Sequence, residues 1–180
     1  MTDSTALFGQ APAAGPEVHR SAVLSQCGTY RYELTRHWAP GPVVGWVMLN
    51  PSTADAAADD PTIRRCTGYA KAWGYGGLVV RNLYALRATD PAELARHTDP
   101  IGPYNDAYLA ECAADPLTVV AWGARGGDRG RDVLALLERL GVRPYRLGAT
   151  DDGQPRHPLY LKTDLAPIPI PPREPRGDAR

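Results

Sequence analysis

The run VVGWVMLNPST at residues 43–53 decides the fold that the sequence predicts. A continuous apolar segment from Val43 to Leu49 is typical of a buried strand, and it stops abruptly at small polar residues and a proline. A strand that ends in this way brings a side-chain amide and free backbone N–H groups to the edge of a sheet. In open α/β sheets, ligands bind at this edge.

The segments on either side alternate between strand and helix patterns. Strands are predicted at 30–34, 77–82, 117–123 and 143–147, and helices at 60–74, 105–114 and 128–140, with a short helix opening at 90–91. The strand at 30–34 is expected to pair antiparallel with the strand at 43–49. The alternation predicts an α/β three-layer sandwich, with a central, mainly parallel sheet of about four strands flanked by helices, plus an N-terminal antiparallel strand.

Composition indicates an ordinary soluble domain. The 180 residues are 43% apolar with a formal net charge of zero, and no segment approaches the ~20 uncharged apolar residues that span a bilayer. The N-terminus lacks the basic flank and apolar core of a signal peptide, so a cytoplasmic location is expected. A single domain is predicted at 21–166, between an Ala/Gly/Pro-rich tail at 1–20 and a Pro-rich tail at 167–180.

The cysteines and acidic residues predict neither a cofactor nor a metal. Cys27, Cys66 and Cys112 lie far apart without a C-x-x-C pair, and buried, inert thiols are expected. The acidic residues at 55, 59 and 60 are an alternative metal cluster. The sequence explains Asp60 equally well as a helix cap and Asp59 by its attraction to the helix N-terminus.

Three predicted strands end in residues that should meet in one cleft. These ends are Asn50-Pro51, Asn82 and Trp122-Gly123, and parallel strands joined by right-handed crossovers place their carboxyl ends along one edge. Two asparagine amides at such an edge read donors and acceptors on a planar ligand, or hold a water molecule. Turn formation is the structural alternative for both asparagines, and Trp122 is more often a core residue.

Four longer motifs carry a resemblance to a bacterial family of uncharacterised domains, DUF1643. They are MLNPSTAD at 48–55, DDPTIRRC at 59–66, NLYALRATDP at 82–91 and AWG at 121–123. The resemblance covers about Tyr30 to Asp164. It implies a family but no activity.

Short motifs also resemble, more distantly, the uracil-DNA glycosylase superfamily. The chain carries MLNP at 48–51, VVRN at 79–82, VVAWG at 119–123 and HPLYL at 157–161, in the order that the superfamily shows. The resemblance implies that Asn50 positions the attacking water, that Asn82 reads the base and that His157 stabilises the departing base. It also implies that Leu161 is an exposed wedge that fills the gap left by a flipped nucleotide.

Departures from the superfamily bear on the substrate. Met48 replaces a usual glycine, and Leu159 and Tyr160 replace small or rigid loop residues. Ser52 replaces a bulky tyrosine, and because its small side chain leaves room, a base larger than uracil is expected. The remaining site predictions assign Pro51, Thr53, Trp122 and Gly123 to ligand binding, and Arg64, Arg65, Arg87 and Lys162 to phosphate or DNA contacts. A solvated helix face is the alternative for the two adjacent arginines, and a solvated loop residue the alternative for His157.

Three functions follow as expectations. The first is a DNA glycosylase that cleaves the N-glycosidic bond of a modified or mismatched base. The second is a module that binds a nucleotide or nucleic acid without catalysis, and the third is a hydrolase of free nucleosides or nucleotides. The zero net charge weakens nucleic-acid binding. Clustering of the four predicted phosphate-contact residues around one cleft would favour a nucleic-acid substrate, and their dispersal a small one.

Overall fold

The protein is a mixed α/β domain built on one seven-stranded sheet. The computed structural model describes residues 18–52, 58–90 and 92–172. The strands are β1 (His19–Leu24), β2 (Arg31–His37), β3 (Val43–Met48), β4 (Gly77–Asn82), β5 (Thr118–Val120), β6 (Pro144–Arg146) and β7 (Ile168–Pro169). The α-helices are α1 (Pro61–Ala72), α2 (Ala92–Arg96), α3 (Asn105–Ala110) and α4 (Gly127–Arg139), with 3-10 segments at Glu111–Ala114, Gly123–Arg125 and Pro158–Tyr160.

The sheet is mixed, with the strand order β1-β2-β4-β3-β5-β6-β7. Parallel pairing joins β3 to β4 and β5, and β5 to β6, whereas β1–β2, β2–β4 and β6–β7 pair antiparallel. The α/β class is confirmed. The prediction of a mainly parallel sheet of about four strands is not confirmed for the sheet as a whole, because half of its pairings are antiparallel and strands β1 and β7 lie outside the predicted elements.

The predicted antiparallel pairing of the strand at 30–34 with the strand at 43–49 is wrong. β2 lies against β4, with Leu34 opposite Val80, and β4 separates it from β3. Every residue of β4 is buried. A strand that is buried on both faces has no water to satisfy its backbone groups, so it needs a hydrogen-bonded neighbour on each edge. Strands β2 and β3 are these neighbours.

Two apolar clusters cover the two faces of the sheet. On one face, Trp46 packs with the buried side of α1, which includes Cys66 and Tyr69. On the other face, Val47 packs with residues of α3 and α4, which include Leu109 and Leu137. Consecutive residues of β3 therefore point to opposite helix layers, as the pleat of a strand requires.

Helix α1 begins where the sequence predicts. The Asp60 side chain accepts a hydrogen bond of 2.8 Å from the Ile63 N–H, and Pro61 occupies the first turn. The capping carboxylate satisfies one of the N–H groups that a helix start leaves without a partner. The chain leaves the helix at Gly74, whose φ of 82° favours glycine.

A buried ion cluster joins β4 to its surroundings on the α3 side. The Arg81 guanidinium contacts Glu33 at 2.9 Å, Asp115 at 2.8 Å and Glu111 at 3.4 Å. Gly45 on the adjacent β3 leaves room for this cluster, because a Cβ there would lie 2.1 Å from Asp115 Oδ2. The cluster compensates the charge that the buried Arg81 brings into the domain.

The sheet extends beyond the predicted domain at both ends. β1 begins at His19, within the segment predicted as the N-terminal tail, and β7 lies within the segment predicted as the C-terminal tail. No helix in the described ranges has both the length and the apolar character that a membrane span requires.

Candidate functional site

The carboxyl ends of β3 and β4 open into a cavity of about 420 Å³. Five residues predicted for the site line it, namely Asn50, Ser52, Asn82, Trp122 and His157. Its volume lies within the range of roughly 300–1,000 Å³ that is typical of small-ligand pockets. The convergence of strand ends that the sequence predicted therefore produces a real concavity.

Asn82 is the residue of this cavity that most clearly lacks a partner. Its side chain is 1% exposed, and its Nδ2 has no hydrogen-bond partner among the residues that the structure describes. A neighbouring asparagine, Asn105, donates from its Nδ2 to the Asn82 backbone carbonyl at 3.0 Å, so the backbone is satisfied while the side-chain amide is not. A buried donor without a partner is costly, and a ligand that accepts its hydrogen bond recovers that cost.

Asn50 is held in one orientation. Its Nδ2 donates to the Ala88 carbonyl at 2.7 Å and to the Pro51 carbonyl at 3.0 Å. An amide nitrogen carries two hydrogens, so both donors are used and the Oδ1 acceptor is left for a ligand or water. Asn50 is thus fixed as an acceptor in the wall of the cavity.

His157 is fixed in the opposite sense, as a donor. It caps the 3-10 segment Pro158–Tyr160, and its Nδ1 accepts a hydrogen bond of 3.3 Å from the Leu159 N–H. The neutral ring then carries its proton on Nε2. Burial lowers the pKa of His157, and the Asp60 carboxylate raises that pKa by less. The imidazole is therefore neutral at pH 7 and donates from Nε2.

The lowered pKa of His157 predicts a loss of stability in acid. The unfolded chain binds a proton at His157 near pH ~6.5, above the pKa of the folded state. The unfolded state therefore binds more protons, and the free energy of unfolding falls as the pH drops through that range. His157→Asn keeps an N-capping side chain but does not titrate. In urea unfolding, we expect a shallower fall with this variant, and equal slopes would contradict the prediction.

Trp122 and Gly123 donate hydrogen bonds to the segment that precedes His157. The Trp122 indole N–H donates to Gln154 Oε1 at 2.9 Å, so this residue offers a ligand only its ring. The Gly123 N–H donates to the Pro155 carbonyl at 2.8 Å, at a φ of 75°. Gly123 and Pro51 do not line the cavity, and Thr53 lies outside the described residues.

The predicted phosphate contacts do not line the cavity. The Arg64 guanidinium donates to the Asp59 carbonyl at 2.6 Å, and Arg65 lies over the Tyr69 ring at 5.5 Å. The guanidinium of Arg87 donates to the Gly28 carbonyl at 3.1 Å. The Lys162 side chain is exposed.

The late loop presents a different side chain from the one expected. Leu161 is half-buried and packs against the core cluster that contains Trp46, whereas the prediction placed it as an exposed wedge. Tyr160 lines the cavity and is 89% exposed. The 3-10 turn rotates successive residues by about a third of a turn each, which sends neighbouring side chains in different directions.

Sequence reasoning missed several residues of the cavity. Arg31, which is 3% exposed, Thr62 and Thr89 all line it, and so does Asp60, which the sequence suggested as a helix cap or a metal ligand but not as a residue of this site. The available signal for Asp60 was its position, because it caps the helix that follows the predicted strand end. Arg31 lay inside an alternating strand pattern, which does not distinguish a charged residue at a site from one facing solvent.

The cysteines do not build a metal centre. No group of three metal-ligating side chains is found within the described part of the chain. Cys66 and Cys112 are buried as predicted, and burial raises the pKa of Cys112 to about 11. The expectation of burial is wrong for Cys27, which is exposed. Hydrogen bonds with Ser25 and Thr29 lower the pKa of Cys27 to about 7.

A second cavity of about 400 Å³ lies between α4 and the C-terminal strand. Its wall is mostly apolar, with Leu134, Val142 and Ile170 among its residues, and it contains none of the predicted site residues. Ligand sites usually combine an apolar wall with a few convergent polar groups. The cavity at the strand ends meets that description better.

Comparison with known families agrees with the motifs around the first cavity. The sequence profile of a family described as "Protein of unknown function (DUF1643)" matches residues 31–159. This chain belongs to the DUF1643 family. No curated protein and no solved structure matches it. The matched region of the DUF1643 chain contains both asparagines of the cavity and His157.

Proposed function

We propose that this DUF1643 protein hydrolyses the N-glycosidic bond between a sugar and a base that is bound in the 420 Å³ cavity. The observation that carries the proposal is the buried Asn82 amide, whose Nδ2 has no partner among the described residues. An amide in this state suits the edge of a planar heterocycle, which offers matching acceptors.

The other two polar residues supply complementary functions. The Asn50 acceptor holds a water molecule, since both of its donors are engaged. The neutral His157 donates from Nε2 to the base as negative charge develops on it, a task for a preorganised hydrogen-bond donor. Ser52 leaves space beside them for a base larger than uracil.

The finer fold proposal is an arrangement like that of the uracil-DNA glycosylase superfamily. The order of the four short motifs supports it, as does the meeting of their residues Asn50, Asn82, Trp122 and His157 around one cavity. The central strands β4, β3, β5 and β6, which pair in parallel, add further support.

The substrate class that the geometry favours is a free nucleoside or nucleotide. None of Arg64, Arg65, Arg87 and Lys162 lines the cavity, and the net charge is zero, whereas phosphate backbones are normally bound by a surplus of positive charge. DNA that contains a modified or mismatched base is the second candidate. Tyr160 at the rim favours it, because an exposed ring gives a base a surface for stacking.

The experiment offers both substrate classes to the full chain. Nucleosides and nucleoside monophosphates of 5-hydroxymethyluracil, hypoxanthine and xanthine are assayed for released base by chromatography. Oligonucleotide duplexes with the same bases, and with thymine opposite guanine, are scored for abasic sites by alkaline cleavage. Release from the free compounds alone supports the favoured class, and abasic sites support the second. No release from any of them overturns the proposal, and calorimetric binding without release indicates a non-catalytic binding module.

Asn50→Ala is the variant to run beside these assays. We expect a loss of turnover of about 100-fold or more, because a misplaced water removes the advantage of orientation. The variant also loses the bonds to the Ala88 and Pro51 carbonyls, so a thermal melt accompanies each assay. Full turnover in a folded variant would exclude Asn50 as the group that positions water.

A further inference from the structure

The proposed reaction requires a group that accepts a proton from water, and Asn50, Asn82 and His157 do not provide one. Asparagine amides are very poor bases, which excludes Asn50 and Asn82. His157 cannot accept at Nδ1, because the Leu159 N–H already occupies that lone pair, and Nε2 carries the hydrogen. A base must come from another side chain in the same cavity.

Among the residues that the structure describes, Asp60 is the carboxylate that lines the cavity. One of its oxygens, Oδ1, accepts the capping bond from the Ile63 N–H at 2.8 Å, which fixes the side chain in place. No hydrogen bond or ion pair within the described ranges holds the second oxygen. A carboxylate that is oriented through one oxygen and open at the other has the geometry of a general base.

The adjacent carboxylate shows the contrast. Asp59 contacts Arg36 at 2.8 Å and Arg20 at 3.3 Å, and it does not line the cavity. Two consecutive aspartates are thus used differently, since two arginines compensate the first while the second faces the cavity. The ion pairs of Asp59 also fix the chain immediately before the capping residue.

We propose that Asp60 is a catalytic residue, the general base that activates the attacking water, and this inference rests on the proposed N-glycosidic hydrolysis. As the water oxygen forms its bond to the anomeric carbon, one water proton moves to the Asp60 carboxylate. The carbon–nitrogen bond breaks, and the base leaves with its electron pair, stabilised by the Nε2–H of His157. The proton held by Asp60 is then passed, directly or through water, to the departing base, which regenerates the carboxylate, so the net reaction adds hydrogen to the base and hydroxyl to the sugar.

The other charged or titratable groups of the cavity suit this division of roles. Arg31 comes from β2, while His157 and Tyr160 come from the late loop. The Asp60 carboxylate raises the pKa of His157 against the larger effect of burial. Both side chains line the same cavity and can therefore act on one bound ligand.

The variant that separates catalysis from capping is Asp60→Asn. Asparagine caps helices about as well as aspartate, so α1 keeps its N-terminal hydrogen bond while the cavity loses its carboxylate. The matched control is Asp90→Asn. Asp90 Oδ1 accepts a hydrogen bond of 2.9 Å from the Ala92 N–H at the start of α2, and this residue does not line the cavity.

Both variants are assayed on the free nucleosides, monophosphates and oligonucleotides of the functional test. We expect Asp60→Asn to lose about 100-fold or more in kcat, the usual contribution of a general base, with KM and melting temperature close to wild type. Asp90→Asn should retain wild-type kcat. Titration of the His157 ring resonances by NMR should show a lower pKa in Asp60→Asn and no change in Asp90→Asn.

The outcomes distinguish this inference from the function on which it rests. A wild-type protein that releases base, together with an Asp60→Asn variant of similar kcat, overturns the inference and leaves the proposed function in place. An unchanged pKa of His157 in Asp60→Asn also overturns it, since the carboxylate would then lie too far from the site. A wild-type protein that releases no base overturns both.

Discussion

Asn82→Leu is expected to abolish turnover of the proposed substrate and, at the same time, to raise the melting temperature of the protein. The two effects have one origin, the buried Nδ2 of Asn82 that lacks a partner among the described residues. In the unliganded protein this amide destabilises the fold, because burying an unsatisfied donor costs about 1–3 kcal/mol. Leucine has a similar size and removes that cost.

The ligand-bound protein responds in the opposite direction. A base whose edge meets leucine loses its hydrogen bonds to water and gains none in return. With about 1–3 kcal/mol for each unpaired group, two such groups weaken binding of the base and the transition state by about 2–6 kcal/mol, or roughly 30-fold to 10⁴-fold. Steady-state kinetics and a thermal melt on the same sample check both signs. A variant that melts lower and keeps its turnover would contradict the prediction.

Asn105→Leu is the matched control for this experiment. Asn105 is equally buried, but its Nδ2 donates to the backbone carbonyls of Asn82 and Leu83 at 3.0 Å each. Leucine there leaves two buried carbonyls without these donors, so the melting temperature should fall. The Asn105 Oδ1 also has no partner among the described residues, so the contrast lies in the Nδ2 donors, which are satisfied in Asn105 and unsatisfied in Asn82. Opposite shifts would show that satisfaction of the Nδ2, not burial of the side chain, decides the sign.

Arg81→Met has the largest expected effect on stability. The guanidinium contacts three carboxylates, and those of Glu33 and Asp115 are themselves mostly buried. Methionine fills much of the volume but leaves this negative charge uncompensated. Removing one partner of a buried ionic group typically costs about 3–5 kcal/mol. Urea unfolding at pH 7 measures the loss, and a change below about 1 kcal/mol would contradict it.

Arg131→Met is the comparison for this loss, and acid provides a second check. Arg131 pairs with Asp128 on the surface of α4, where both side chains are well exposed, so its replacement should change stability by less than about 1 kcal/mol. Burial raises the pKa of Asp115 even though Arg81 lowers it. Without Arg81 the folded state binds this proton more readily than the unfolded state does, so mild acid should restore part of the lost stability.

Much of the fold follows from local patterns in the sequence. The apolar run from Val43, the Asp60-Pro61 helix start and the run from Gly77 predict β3, α1 and β4 because each signal lies within a few residues. The convergence of Asn50, Asn82 and Trp122 also follows, since it depends only on strand ends meeting at one edge of the sheet. Local chemistry was sufficient for these features.

The remainder depends on contacts between distant parts of the chain. Strands β2 and β3 follow each other along the chain, as the strands of a hairpin do, but β4 lies between them in the sheet. The edge strand β7 is too short to show a periodic hydrophobic pattern. The exchange of Leu161 for Tyr160 at the rim depends on the orientation of one 3-10 turn. None of these features has a signature within a short window of residues.

The hydrogen bond from the Leu159 N–H to the imidazole has a consequence for ligand selection. The backbone of the loop, rather than the solvent, sets the tautomer of His157, so the cavity presents a permanent N–H at that point. An oxo group or an unprotonated ring nitrogen on the heterocycle satisfies it, whereas an exocyclic amino group meets it donor to donor. Under the proposed function, this main-chain contact selects the edge of the base that faces His157: an edge with an oxo group or an unprotonated ring nitrogen at that point is favoured over one with an amino group there.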